Sequence, residues 1–179
     1  MRALTFIAVL MLFSCKTKLS SHTRTLNLSN QNLTAIPDSI FSFNDLEHLY
    51  LGNAYTLYPP LSGLGGEGPS GKNMNQITQI PEDIDRLHNL KTLDLAANDL
   101  RSLPKGVIKL VRLDTLDVSF NKRLIVSNEL NTLAKMRRLK YLNIVGTHAD
   151  QTSIDKLKKS LPNTKVITRL DEIIEDVSN

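Results

Sequence analysis

The sequence predicts an α/β solenoid of about five turns, with a parallel concave sheet and short helical or irregular convex arms. Three observations carry the prediction. The stretch from Leu90 to Pro104 places Leu90, Leu93, Leu95, Asn98, Leu100, Leu103 and Pro104 at offsets 1, 4, 6, 9, 11, 14 and 15, which fits neither a helical period nor a plain alternation. Leu113, Leu116, Val118 and Asn121 repeat offsets 1, 4, 6 and 9 after a step of 23 residues. Further copies begin at Leu26, Leu28, Leu33, Ile36 and Pro37, with Gln31 at the Asn position, and at Leu139, Leu142 and Ile144, with Thr147 there. A fifth starts at Leu46, Leu49 and Leu51, breaks off, and resumes at Asn75, Ile77, Ile80 and Pro81. One such coil has no second layer against which to bury its leucines, so the copies must stack.

Within a coil, Leu93 and Leu95 alternate with Thr92, Asp94 and Ala96, so a short strand buries two leucines and turns the intervening side chains outward. Asn98 follows as the corner residue, able to donate to and accept from backbone groups that have left the strand ladder. Leu100 and Leu103 re-enter the core, and Pro104 suits an extended arm that needs no ladder N–H. The arms Ile36–Phe41, Ile80–Leu87 and Leu103–Leu110 read as short helical or irregular segments. Ser127 is the expected cap of a longer helix with Leu130, Leu133, Ala134 and Met136 inward. Thr152 and Asp155 have capping-box spacing ahead of Ile154, Leu157 and Leu161, Pro162 ends that helix, and Val166 and Ile167 read as a closing strand.

At the amino terminus, Arg2 precedes an apolar run from Ala3 to Phe13, too short for a bilayer span and laid out as a secretory signal over residues 1–14. Residues 15–22 form Cys15 and a polar tether, 23–170 the repeat domain, 54–74 a Gly/Pro-rich insertion, and 171–179 an acidic tail. The insertion holds five of the eight glycines and has Tyr55 and Tyr58 near its start. Leu12-Phe13-Ser14-Cys15 resembles the bacterial lipoprotein signal, with Leu12 and Ser14 at that family's minus-three and minus-one positions. The resemblance implies lipidation of Cys15, membrane attachment through the lipid, and a place in the bacterial cell envelope, at the outer membrane or cell surface. As the only cysteine, Cys15 also leaves no internal disulfide.

The outward positions form columns. Thr25, His48, Thr92, Thr115 and Tyr141 make one, Asn27, Tyr50, Asp94, Asp117 and Asn143 the next, and Ser29, Gly52, Ala96, Ser119 and Val145 a third that is mostly small. A groove floored by small residues, with His48, Tyr50, Asp94, Asp117, Tyr141 and Asn143 beside it, is the expected docking surface, extended by Tyr55 and Tyr58. Asp94 and Asp117 should lie about 5 Å apart on neighbouring strands. They do not read as a catalytic pair, because the sequence puts no second chemical group beside them.

The recurring offsets from Thr23 to about Arg169 resemble the leucine-rich-repeat family, which implies recognition of a protein or glycan on the concave face. The expected function is a non-enzymatic, membrane-anchored protein-interaction module of a bacterial envelope. The alternative is a structural envelope protein making homotypic contacts through its first repeat. No cofactor, metal or nucleic acid is expected. Gly63, Gly65 and Gly68 match a dinucleotide fingerprint, and Gly66, Gly71 and Lys72 most of a phosphate loop, but the chain then enters the repeat at Asn75 rather than opening a helix, which argues against a nucleotide. His22, His48, His88 and His148 lack metal-ligand spacing. Between Arg101 and Arg169, fifteen Lys or Arg stand against five Asp or Glu, an excess read as a solvated outer face, the alternative being a face attracted to anionic lipid headgroups or polyanions.

Overall fold

The computed structural model describes residues 23–53 and 73–172. The expectations for residues 1–22, 54–72 and 173–179, among them Cys15, Tyr55 and Tyr58, lie outside the described residues. Six parallel strands pair in chain order: β1 (Thr25–Asn27), β2 (His48–Tyr50), β3 (Thr92–Asp94), β4 (Thr115–Asp117), β5 (Tyr141–Asn143) and β6 (Lys165–Ile167). Leu26, Leu49, Leu93, Leu116, Leu142 and Val166 fall in one register. Leu49, Leu93, Leu116 and Leu142 are fully buried. The repeats read from the spacing are thus β1 to β5, and β6 is the closing strand.

Strands β2 to β5 are each entered through a shared carbonyl. Arg24 O accepts from the backbone N–H groups of Glu47 and His48, Glu47 O from Lys91 and Thr92, Lys91 O from Asp114 and Thr115, and Asp114 O from Lys140 and Tyr141. The side chains at this station alternate in sign from coil to coil. Arg24 meets Glu47 at 3.3 Å, Lys91 meets Glu47 at 2.8 Å, and Lys140 meets Asp114 at 3.0 Å. A slip of one coil would set like charges together, so the ladder favours one register.

The corner asparagines knit coil to coil. Asn98 Nδ2 donates to Leu95 O in its own coil and to Leu51 O in the preceding one, while its Oδ1 accepts from Ile77 N. Asn121 repeats this with Val118 O, Leu95 O and Leu100 N, and Asn75 with Leu51 O, Leu28 O and Leu33 N. In the four coils other than that of Asn75 the residue before the corner is left-handed: Asn30, Ala97, Phe120 and Gly146 have φ of 55°, 53°, 56° and 68°. Asn53 stands at the Ala97 station and Asn75 at the Asn98 station, so the insertion enters between two consecutive positions of a coil. Asn53 closes that gap, its Oδ1 accepting from Asn75 N and its Nδ2 donating to Asn75 O and Ala97 O.

On the convex side, Pro37, Pro81 and Pro104 lead into single 3-10 turns at Asp38–Ser42, Glu82–Arg86 and Lys105–Lys109. Proline fits because its fixed φ suits the extended entry and its carbonyl accepts the first turn bond, as Pro37 O does from Ile40 N. The last two coils carry helices α1 (Val126–Leu133) and α2 (Gln151–Ser160). Two caps differ from expectation. Ser127 lies inside α1, exposed, and no side chain caps that helix, while its inward face includes Val126 and Glu129 beside Leu133. In α2 the cap is Asp150, which accepts from the Ser153 N–H and hydroxyl at 2.8 Å. The Thr152–Asp155 spacing plays no capping part, and Asp155 accepts instead from Gln151 Nε2. Asp171 and Glu172, assigned to the tail, begin a helical turn in which Glu172 accepts from the Thr168 N–H and pairs with Lys158.

Candidate functional site

The concave column Asn27, Asp94, Asp117, Asn143 is determined by the corner ladder beneath it. In a continuing parallel ladder Leu51 O would accept from Ala96 N, but Asn75 and Asn98 already occupy that carbonyl. The displaced N–H is taken up by Asp94 Oδ1 at 2.9 Å. Asp117 does the same for Ser119 N, Asn143 for Val145 N and Asn27 for Ser29 N, at 2.9, 3.1 and 3.0 Å. Each is an Asx turn closing a strand end. The small residues of the next column make room for it: a Cβ on Gly52 would lie 2.3 Å from Asp94 Oδ1.

This corrects the expected exposure of the docking groove. Asp94, Asp117, Tyr141 and Asn143 are buried, with 4%, 2%, 7% and 0% of their surface exposed. The carboxylates fold back onto their own backbone, and Tyr141 packs with Val145, Ile167 and Phe120 in a small apolar cluster. Asp94 and Asp117 are register partners, as expected. Asn143 Nδ2 donates to Asp117 Oδ2 at 3.0 Å, whereas Asp94 Oδ2 has no hydrogen-bond partner among the described residues. Burial, then the Asp117 carboxylate, pushes the Asp94 carboxyl from its ordinary 3.8 up to about 7. Burial also raises Asp117, opposed by the hydrogen bonds from Ser119 and Asn143.

The part of the face that stays accessible is the amino-terminal half. Thr25 and Asn27 are exposed, and His48, Tyr50, Thr92 and Thr115 half-buried. His48 Nδ1 lies 3.0 Å from Thr92 Oγ1, and its Nε2 4.0 Å from Glu47, whose carboxyl is held below its ordinary value chiefly by the Lys91 hydrogen bond. His48 and Tyr50 are neighbours on β2, three residues before the point where the 54–74 insertion enters. Of the predicted site residues, the structure therefore brings together two accessible aromatics and sets the buried four apart. Asn53 and Glu129 escaped sequence reasoning. Asn53 carried a signal, a second Asn ahead of the insertion; Glu129, buried with its carboxyl raised by burial and bonded to the Leu103 N–H, carried none. His88 and His148 are exposed on other faces, and among the described residues no three His, Cys, Asp or Glu side chains group as metal ligands would.

A family model described as leucine-rich repeat region matches residues 72–170, more than half of the chain. Among solved structures, internalin C2 of Listeria monocytogenes str. 4b F2365 is similar with a TM-score of 0.54 and 20% identity, over 83% of this chain and 52% of its own. An internalin (inlF) of the same strain is similar at 0.47 and 19%, over 82% and 47%. The ectodomain of the receptor kinase SOBIR1 from Arabidopsis thaliana is similar at 0.48 and 19%, over 80% and 68%. This chain spans about half the length of the two internalin chains. No curated protein matches it.

Proposed function

Because the chain belongs to the leucine-rich repeat family, we propose that it is a non-enzymatic interaction module, anchored to a bacterial envelope membrane through lipidated Cys15 and binding a protein or glycan on the amino-terminal half of its concave face. The observation that carries this reading is the pair His48 and Tyr50, both half-buried on β2. A pleated parallel sheet holds them rigidly, so they can offer contact area at little entropic cost. Solenoids of this kind use their extended concave surfaces for binding. Tyr55 and Tyr58 follow within the 54–74 insertion and would widen the surface.

Two experiments separate the parts of this proposal. Crosslinking from intact envelopes, with the partner identified and its affinity remeasured on purified protein, should show at least about a tenfold loss for the His48→Ala, Tyr50→Ala double variant. An unchanged affinity removes the concave-face assignment. Cys15→Ser should move the protein from the membrane to the soluble fraction and lower its mass by that of the lipid. Membrane retention at unchanged mass would end the lipid-anchor reading.

A further inference from the structure

A second surface lies where the convex arms return to the sheet. Between the ends of α1 and α2 is a cleft of about 500 Å³ lined by Arg137, Lys159, Ser160 and Asn163. Beside it, one coil earlier, is a groove of about 120 Å³ lined by Ile108, Val111, Lys135, Met136 and Arg138. Arg137 lines both, so they form one track across three successive coils.

Four exposed cations line it. Lys91, Lys109, Lys140 and Lys158 each pair with a carboxylate of this chain. Lys135, Arg137, Arg138 and Lys159 are all exposed, and among the described residues none of them has an acidic partner and no Asp or Glu lines either cavity. Lining the groove with Lys135, Arg137 and Arg138 is Val111, 56% exposed and the most exposed large hydrophobic side chain among the described residues. Met136 lies in the groove beside it. An apolar floor with a rim of one charge sign fits a partner whose acidic groups flank an apolar side chain.

We propose that this track is a docking groove for an acidic segment of a protein partner, whose carboxylates meet Arg137, Arg138 and Lys159 while an apolar side chain seats against Val111 and Met136. The chemistry favours this occupant over a nucleic-acid strand, and a bilayer surface is an outcome of the test below. A nucleic-acid strand would be met by stacking side chains, and among the described residues no aromatic lines either cavity. Neither His48 nor Tyr50 lines the groove, so the inference does not rest on the concave-face reading.

The test uses the full chain and a labelled twelve-residue peptide of Glu with Leu at every third position, titrated at low and at physiological salt. The expected result is saturable binding that weakens with salt, reduced at least about tenfold by Arg137→Glu with Lys159→Glu and severalfold by Val111→Ser, and unchanged by His48→Ala with Tyr50→Ala. The three substituted groove residues are exposed, and circular dichroism confirms that the variants fold. Absence of peptide binding at low salt, equal binding by the charge-reversed variant, or stronger capture by phosphatidylserine vesicles or single-stranded DNA than by the peptide overturns the proposal.

Discussion

At the scale of single residues, the most informative side chain is Asp94. Its Oδ1 completes an Asx turn with Ala96 N, and its Oδ2 has no partner among the described residues although the residue is only 4% exposed. The folded protein therefore holds the Asp94 proton up to about pH 7, against an ordinary 3.8. A carboxyl with a raised folded pKa contributes its stability in full below the unfolded value and loses it as pH rises through the folded one. Stability should therefore fall between about pH 4 and pH 8, by on the order of 4 kcal/mol from this group. Asp94→Asn keeps the acceptor oxygen and cannot ionise. Urea unfolding followed across pH should show a steeper fall in the wild type than in the variant, whose remaining slope comes from the other carboxyls raised by burial and which becomes the more stable protein at pH 8. Equal slopes would place the proton elsewhere, Asp117 and Glu129 being the other carboxyls raised by burial.

At the scale of elements, the coils are spaced by contacts that leave little room. Glu82, at the start of one 3-10 turn, accepts from Lys105 N and Gly106 N at the start of the next, and Lys109 pairs with Asp85 across the same pair of turns. A Cβ on Gly106 would sit 2.6 Å from Glu82 O, a backbone atom that can move only if the whole turn moves. Gly106→Ala should therefore cost about 1–3 kcal/mol through overpacking, read from the urea midpoint. Ser102→Ala, on an exposed position of the same arm, should stay within about 0.5 kcal/mol. A Gly106→Ala protein as stable as the wild type would mean that the turns are not in fixed contact.

For the molecule as a whole, stability runs along the stack. Each interior coil buries its leucines between two neighbours, while β1 pairs on one side only among the described residues, and Leu26 is half-buried. Leu93→Ala should cost about 3 kcal/mol or more, as for a fully enclosed leucine. Leu26→Ala should cost under about 1.5 kcal/mol. Hydrogen exchange should show the amides of β1 opening before those of β3 and β4. Comparable losses at the two positions would mean that the first coil is covered as well as the interior ones.

The stacked coils were legible in the sequence because their signal is a local spacing repeated in register: Leu49, Leu93, Leu116 and Leu142 are in the core for the same reason that their offsets recur. Asn98 and Asn121 could be read as corner residues from position alone. Their bonds to the neighbouring coil could not, since a carbonyl such as Leu51 O is far away in sequence. The fate of the concave residues followed from those bonds. Once the asparagines occupied the strand-end carbonyls, Asp94, Asp117 and Asn143 turned back to the freed N–H groups and left His48 and Tyr50 as the accessible aromatics. The sequence by itself thus determined the repeat, its hydrophobic layer and its parallel sheet, because these depend on periodicity within one chain segment. Only the tertiary structure decided which outward side chains remain free, because that depends on hydrogen bonds between coils that spacing does not encode.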